Sequence, residues 1–451
     1  MVVWVALDKE KDDPQLIFES MNSKGIELTQ ADLIRNYIIM ETEVEKQECF
    51  YNQYWRAMEE DFKQNEKLFN RFVRHYLTIK TGKIPNEKRV YEAFKDYQQK
   101  KGIEIEDLLK DLQKYCGYFC QIAFKKEEDK ELNKALSFLV DLEMDVVYPL
   151  LLELYSDYSD GVLSKQDFIP IIALTESYLC RRAVCGLKSN GLNKLFPSFT
   201  KKIDKKQYLK SVEERFGSLK GNQRFPNDLE FKELFITRDF YEFKKIHTFL
   251  TRLENSDTKE PVNTEGCSVE HIMPQTLTTW EWQRDLGENF ETIHEKYLHT
   301  IGNLTLTGYN SEYSNNSFQE KRDMENGFKQ SSLKLNQGLK NLEVFGEKEI
   351  LKRAEDLANL ALKIWVSPKT LKEKEIYDLN SYKFSPYSRE LFDILREGIK
   401  ALDERVTEKF MKHYITYKHD TIFASVVPLK YELNLILNMD FSELQDGKKE
   451  N

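Results

Sequence analysis

Between residues 41 and 255 apolar side chains recur at three- and four-residue intervals, as in Leu132, Leu136, Leu139 and Leu142, then in Val146, Val147, Leu150, Leu151 and Leu154. A period of 3.6 residues puts such positions on one face, so this stretch predicts a series of amphipathic helices packed through those faces. Breaks are predicted near Lys83 to Asn86, at Gly161, and from Gly186 to Gly191. Just before this stretch, Thr29 and Asp32 have capping-box spacing and open a helix with the apolar face Leu33, Ile34, Tyr37 and Ile38. Earlier still, Val2 to Leu7 reads as a strand, and Asp13-Pro14 as the cap and first position of a short helix ended by Gly25. A lone strand ahead of so much helix has no evident partner. Met1 is therefore expected to lie inside a domain whose earlier part is missing.

The pattern changes in the second half. Ile301 to Leu306 is a β-branched and apolar run that predicts a strand, and a helix is predicted from Phe318 after an Asn-rich turn. Ser367-Pro368 and the charged run Lys369 to Glu375 read as a linker. Beyond it, Leu391, Ile394, Leu395, Ile399 and Leu402 form a helical stripe. Tyr414 to Tyr417, Ile422 to Val427 and Tyr431 to Met439 then read as strands, with Leu433, Leu435 and Leu437 on one face. No internal repeat or low-complexity tract is evident.

A chain of 451 residues is too long for one ordinary core. Hydrophobic content of 40% supports real cores, and a charged fraction of 32% with few Gly and Pro favours long solvated helices. The formal net charge of -9 argues against a protein that coats nucleic acid indiscriminately, so local charge matters more than the total. One stretch departs from that average. Arg181, Arg182, Lys188, Lys194, Lys201, Lys202, Lys205, Lys206 and Lys210 are opposed only by Asp204, which makes a candidate phosphate-facing surface; the alternative is a solvated helix face. The six cysteines form no CxxC pair and read as reduced and mostly buried. The apolar start is too short for a signal core, and no run approaches a membrane span, which predicts a soluble, cytoplasmic protein with no membrane partner.

The chemistry concentrates in Ser268-Val269-Glu270-His271-Ile272-Met273-Pro274-Gln275 and Ile301-Gly302-Asn303-Leu304-Thr305-Leu306-Thr307, followed by Asn310, Asn315, Asn316, Phe318, Lys321 and Arg322. Phosphodiester hydrolysis needs a base to deprotonate water, and a neutral imidazole suits that task. His271 fills it. The crowded phosphate and the leaving 3′ oxygen need positive charge, which a hard cation held by oxygen ligands supplies. Glu270 and an asparagine amide oxygen are such ligands. A neighbour must also fix the imidazole or its loop, and Asn303 is placed to do so through side chain or backbone. Two strands and a helix would close a small ββα unit around one ion, and Lys321 and Arg322 on that helix would reach a phosphate.

At these residues the sequence resembles the HNH, or His-Me finger, nucleases, and more closely the GmrSD-type modification-dependent restriction endonucleases. The resemblance extends to Tyr178-Leu179-Cys180-Arg181-Arg182, to Ile17-Phe18-Glu19-Ser20-Met21-Asn22-Ser23-Lys24-Gly25, and to Asp32-Leu33-Ile34-Arg35-Asn36. It implies His271 as general base, Asn303 as the middle asparagine that orders the site, and Asn310 as the third, metal-side position, for which Asn315 and Asn316 compete. It also implies Mg2+ or another divalent cation, held by Glu270 and Asn310. Two departures stand out. The usual aspartate before the histidine is Glu270 here, one methylene longer, and the Asp-Gly-Gln-Gln-Arg block of the family's nucleotide-dependent domain is absent.

The expected fold is therefore mainly α, with a small ββα-metal nuclease core and a C-terminal α+β domain. The expected domains are 1–40, the remnant of an N-terminal nucleotide-dependent domain; 41–180, helical; 181–366, helical plus nuclease; and 376–451, small α+β. The expected function is metal-dependent DNA cleavage in a phage-defence restriction system, with Lys201, Lys202, Lys205, Lys206, Lys321 and Arg322 on the nucleic acid. The missing nucleotide-dependent domain is an expected partner in cis or in trans. The rival expectations are a non-catalytic DNA-binding or assembly module, and an RNA-directed nuclease. A histidine between Glu and Ile is by itself more often structural, and the later blocks are what favour catalysis. His75, His247, His294, His299, His413 and His419 lack comparable context, although His299 stands two residues before Ile301.

Overall fold

The computed structural model describes residues 28–63, 65–258, 260–371, 378–411, 413–419 and 421–438. The strand expected at Val2 to Leu7, the helix expected from Pro14, and the Ile17 to Gly25 motif lie outside them. The chain divides into two compact units, Met1–Leu371 and Lys372–Asn451. It is mainly helical with small sheets, and among the described residues no helix is long and apolar enough to cross a membrane.

Helix α1 (Gln30–Met40) starts where its capping box predicts: the Asp32 amide donates to Thr29 Oγ1 at 3.2 Å, and the Thr29 amide to the Asp32 carboxylate at 3.2 Å. Ile34, Tyr37 and Ile38 bury its inner face. The helices that follow end at Gly82, Gly161 and Gly186, each with positive φ, close to the predicted breaks. One hydrophobic core runs from Ala31 to Trp365 through most of the first unit.

That continuity overrides the boundary expected at residue 180, which falls inside α2 (Lys165–Val184). From Ile171 to Val184 helix α2 is buried on nearly every side, because its polar groups find partners within the core. Glu176 accepts from Arg252 Nε at 2.8 Å and from Trp365 Nε1 at 2.9 Å. Arg181 donates to the carbonyls of Trp365 and Pro226 and pairs with Asp228 at 2.7 Å. Arg182 donates to the Asn222 and Lys188 carbonyls. Two of the nine positive charges read as a phosphate-facing surface are thus interior ties.

Strands β1 (Ser268–His271) and β2 (Leu304–Thr307) pair antiparallel, with Glu270 opposite Thr305 and His271 opposite Leu304. The run predicted as a strand from Ile301 starts with a 3-10 turn over Ile301–Asn303. After β2 come the short helices α3 (Asn310–Tyr313) and α4 (Phe318–Asp323). Helix α5 (Glu347–Ile364) packs so tightly on the turn before β2 that a Cβ at Gly302 would lie 2.3 Å from the Ile350 carbonyl oxygen. Only glycine fits there. A second cluster, including Ile272, Met273, Trp282, Phe318, Phe345 and Ile350, fills the space around the β1–β2 unit.

In the second unit, α6 (Pro386–Lys400) is followed by an antiparallel meander of β3 (Thr407–Phe410), β4 (Ile415–Lys418), β5 (Ile422–Pro428) and β6 (Leu433–Leu437). The small α+β arrangement agrees with its sequence pattern, although β3 is polar and carried no strand signal. Its core is Phe392, Ile399, Ile415, Tyr417, Ala424 and Val426. Leu435 and Leu437 on the edge strand are exposed rather than part of it.

Candidate active site

His271 ends β1, and the chain turns at once through Ile272, Met273 and Pro274. Asn303 holds that turn. Its Oδ1 accepts from the Met273 amide at 2.7 Å, and its Nδ2 donates to the Met273 carbonyl at 2.9 Å and the Leu298 carbonyl at 2.8 Å. The Asn303 carbonyl also accepts from the Ile272 amide at 2.9 Å. A fully buried carboxamide thereby uses its acceptor and both donors on backbone alone. Asn303 acts on the loop and makes no hydrogen bond to the imidazole.

The His271 ring is buried, with Nε2 3.1 Å from His299 Nδ1 and Nδ1 3.5 Å from Gln275 Nε2. Tyr241 covers the pair: its ring centroid lies 4.5 Å from that of His271 and 5.1 Å from that of His299, nearly parallel to the latter. Burial pushes the His271 pKa down to about 4, with His299 and Lys321 adding to the effect. The imidazole is therefore neutral at physiological pH. His299, Tyr241 and Gln275 escaped the sequence reading as site residues. Gln275 stands within the first block and His299 just ahead of the second, but Tyr241 carries no local signal.

Glu270 and Lys321 form a buried ion pair at 2.6 Å, and Lys321 Nζ also donates to the His271 carbonyl at 2.9 Å. Burial pushes the Glu270 carboxyl up against the pull of Lys321, and pushes the Lys321 ammonium down. Lys321 is thus a structural partner of β1 and does not face a phosphate. Arg322 likewise turns to Asp323, Glu343 and the Leu342 carbonyl. Both phosphate assignments are corrected by the same cause, which is that α4 packs these two stems inward.

Asn310 begins α3 and donates from Nδ2 to Ser268 Oγ and the Val269 carbonyl, each at 3.1 Å, on the first half of β1. It does not touch His271. Asn316 donates to the Glu312 carbonyl at 3.2 Å, and the Asn315 and Asn316 carbonyls accept from Thr278 and Trp282, so these two asparagines build the turn. His294 bonds the Pro274 carbonyl at 2.9 Å, a structural contact. Lys201, Lys202, Lys205 and Lys206 are all exposed on short turns beside the helix Tyr148–Ser159, where Lys205 pairs with Asp157 at 2.7 Å.

No curated protein matches this chain. Residues 381–451, which include the β3–β6 meander, match the model of a domain of unknown function, DUF5655. The segment that holds Tyr241, His271, Gln275, His299 and Asn303 falls within a second match. Over residues 225–360 the chain matches the model of the C-terminal domain of the GmrSD restriction endonucleases, which supports a GmrSD-type assignment for this segment.

Proposed function

We propose that this domain is an HNH-type, His-Me finger endonuclease that hydrolyses DNA with His271 as general base. The observation that carries the reading is a buried, neutral imidazole at the end of β1, in an antiparallel pair that continues into α3 and α4. An antiparallel strand pair followed by short helices supports the reading of a ββα core, with the helices Trp280–Leu286 and Phe290–Tyr297 inserted between the two strands. A pKa of about 4 leaves the lone pair of His271 available at neutral pH. Water gives a proton to the imidazole, the resulting hydroxide attacks phosphorus, and the bond to the leaving oxygen breaks. That oxygen takes its proton from solvent. Asn303 keeps the turn after His271 rigid through the step.

Mg2+ or another hard divalent cation suits the oxygen donors of Glu270 and Asn310. When bound it would neutralise charge on the phosphate and on the leaving oxygen. Lys321 now holds a Glu270 oxygen, so a cation competes with an ammonium for this carboxylate. The same reading includes a role in phage defence in the cytoplasm, against modified or foreign DNA, with a nucleotide-dependent domain acting in cis or in trans.

The test is nicking of supercoiled plasmid by the purified full chain, with and without chelator, beside linear duplex, single strands and RNA. Cleavage of DNA that chelation silences is the expected result, and His271→Ala should lower the rate by roughly 10² to 10⁴ while the protein stays folded and DNA-bound. A folded His271→Ala variant that cuts at the wild-type rate would sink the assignment. Preference for RNA would replace the substrate and leave the chemistry.

A further inference from the structure

Cys116 and Cys120 stand four residues apart on the helix Ile105–Ala123. That spacing makes two side chains neighbours on one helix face, so both thiols point the same way. The face is turned inward, and both cysteines are buried. Against it packs the helix Arg56–Phe62, whose Phe62 ring lies 5.9 Å from that of Phe119. Asp61, the residue before Phe62, thereby comes beside the thiols: a carboxylate oxygen and the two Sγ atoms all lie within 4.8 Å of one another. Asp61 is exposed, so the cluster has a dry side of sulfur and a wet side of oxygen.

Three such groups are poorly matched without a cation. Cys120, burial and the charge of Asp61 all push the Cys116 thiol up, and no basic side chain opposes them. The donors decide which cation suits the place. Thiolate sulfur is too soft for Mg2+ or Ca2+, which take oxygen. Zn2+ takes sulfur and oxygen together in a tetrahedron, with Zn–S of about 2.3 Å and Zn–O of about 2.0 Å. Those bond lengths set ligand atoms about 3.5 to 3.8 Å apart, a spacing that side-chain rotation reaches from this cluster. Zinc ribbons and fingers take their paired cysteines from a turn, two residues apart, whereas here one face of a helix supplies the pair.

We propose that Asp61, Cys116 and Cys120 bind one Zn2+, with water in the fourth position, and that the ion ties the helix Arg56–Phe62 to the helix Ile105–Ala123. Binding replaces two S–H bonds with two Zn–S bonds and releases both protons to solvent. Two thiolates and one carboxylate on a dication leave a single net negative charge, and its carboxylate edge faces water. The centre shares no residue with the candidate active site and does not rest on the nuclease reading.

The experiment uses the full chain, reduced, stripped of metal by chelation, and titrated with Co2+ and then Zn2+. Co2+ should give a near-ultraviolet sulfur-to-metal charge-transfer band with tetrahedral visible bands, and one equivalent of Zn2+ should abolish them. Calorimetry in buffers of different ionisation enthalpy should count two protons released for each Zn2+. Cys116→Ser and Cys120→Ser should each remove the charge-transfer band and lower Zn2+ affinity by about 100-fold or more, and Asp61→Asn should lower it by about 10-fold or more. Zn2+ should raise the Tm of the wild type and leave that of Cys120→Ser unchanged. Absence of the band in the wild type, or its persistence in both serine variants, overturns the proposal. So does Zn2+ that is lost in His271→Ala and kept in Cys120→Ser, since that ion sits at the candidate active site. An Asp61→Asn protein that binds Zn2+ as tightly as the wild type overturns the three-ligand centre. Asp61 is at the surface, so that variant and the wild-type spectrum decide even where a serine variant fails to fold.

Discussion

The ammonium of Lys321 lies 2.6 Å from the carboxylate of Glu270, and the two side chains, 51 residues apart in sequence, are both closed off from water. Such a pair draws its stability from mutual satisfaction, since either charge alone in that place is costly. It also joins α4 to β1 directly beside the candidate base, because the same ammonium reaches the His271 carbonyl.

Replacing Lys321 with Met should therefore destabilise the protein by about 3–5 kcal/mol, read from urea midpoints. The double variant Lys321→Met with Glu270→Gln should recover much of that loss. A phosphate contact predicts another pattern, with stability intact and only DNA affinity reduced.

Asn303→Ala should lower stability and cleavage together, unlike His271→Ala. The change orphans the Met273 amide and the Met273 and Leu298 carbonyls, at about 1–3 kcal/mol for each group that water cannot reach. Thermal melts beside single-turnover rates would separate the two behaviours. A fully stable Asn303→Ala protein would show that the loop does not depend on this side chain.

Acid should destabilise the fold through two histidines. His75 is stacked against Tyr148, and burial pushes its pKa down to about 3; His271 is held at about 4. In the unfolded chain both take up protons near pH 6.5, whereas the folded protein binds them only below those depressed values. Stability contributed by each neutral ring is thus complete above pH 6.5 and is lost as pH falls towards 4 for His271 and 3 for His75. Each pH unit of that separation is worth about 1.4 kcal/mol. Urea midpoints measured across this range should slope down towards acid, and His75→Phe should flatten the slope.

If the exposed lysines meet DNA, replacing Lys201, Lys202, Lys205 and Lys206 together with Glu should weaken binding across sequences. The slope of log affinity against log salt should become shallower by about 0.9 for each phosphate that is no longer neutralised. Lys205 is already paired with Asp157 and should contribute least. An unchanged slope would return this stretch to an ordinary solvated surface.

Local signals in the sequence proved readable wherever the cause was local. The Thr29–Asp32 capping box, the breaks near Gly82, Gly161 and Gly186, and most of the C-terminal strands appear close to their predicted places. Adjacent charges misled where the partner lay far along the chain. Arg181 and Arg182 read as surface, yet they cap carbonyls brought in from residues 188, 222, 226 and 365. Lys321 read as a phosphate ligand for the same reason. Strand β3 was missed because Thr407, Glu408 and Lys409 are polar, and Tyr241 because only folding brings it over His271.

Helix α2 separates what is inherited from what folds. The recognisable segment spans 225–360, but Glu176 and Arg181 lie upstream of it, and Trp365, which binds both, lies downstream. A recombinant fragment cut at the limits of that segment would lose Trp365 and leave Arg252 without its carboxylate. Such a fragment should express as aggregate. Dissection of this protein, and any transplant of its 225–360 segment onto another scaffold, has to carry α2 along.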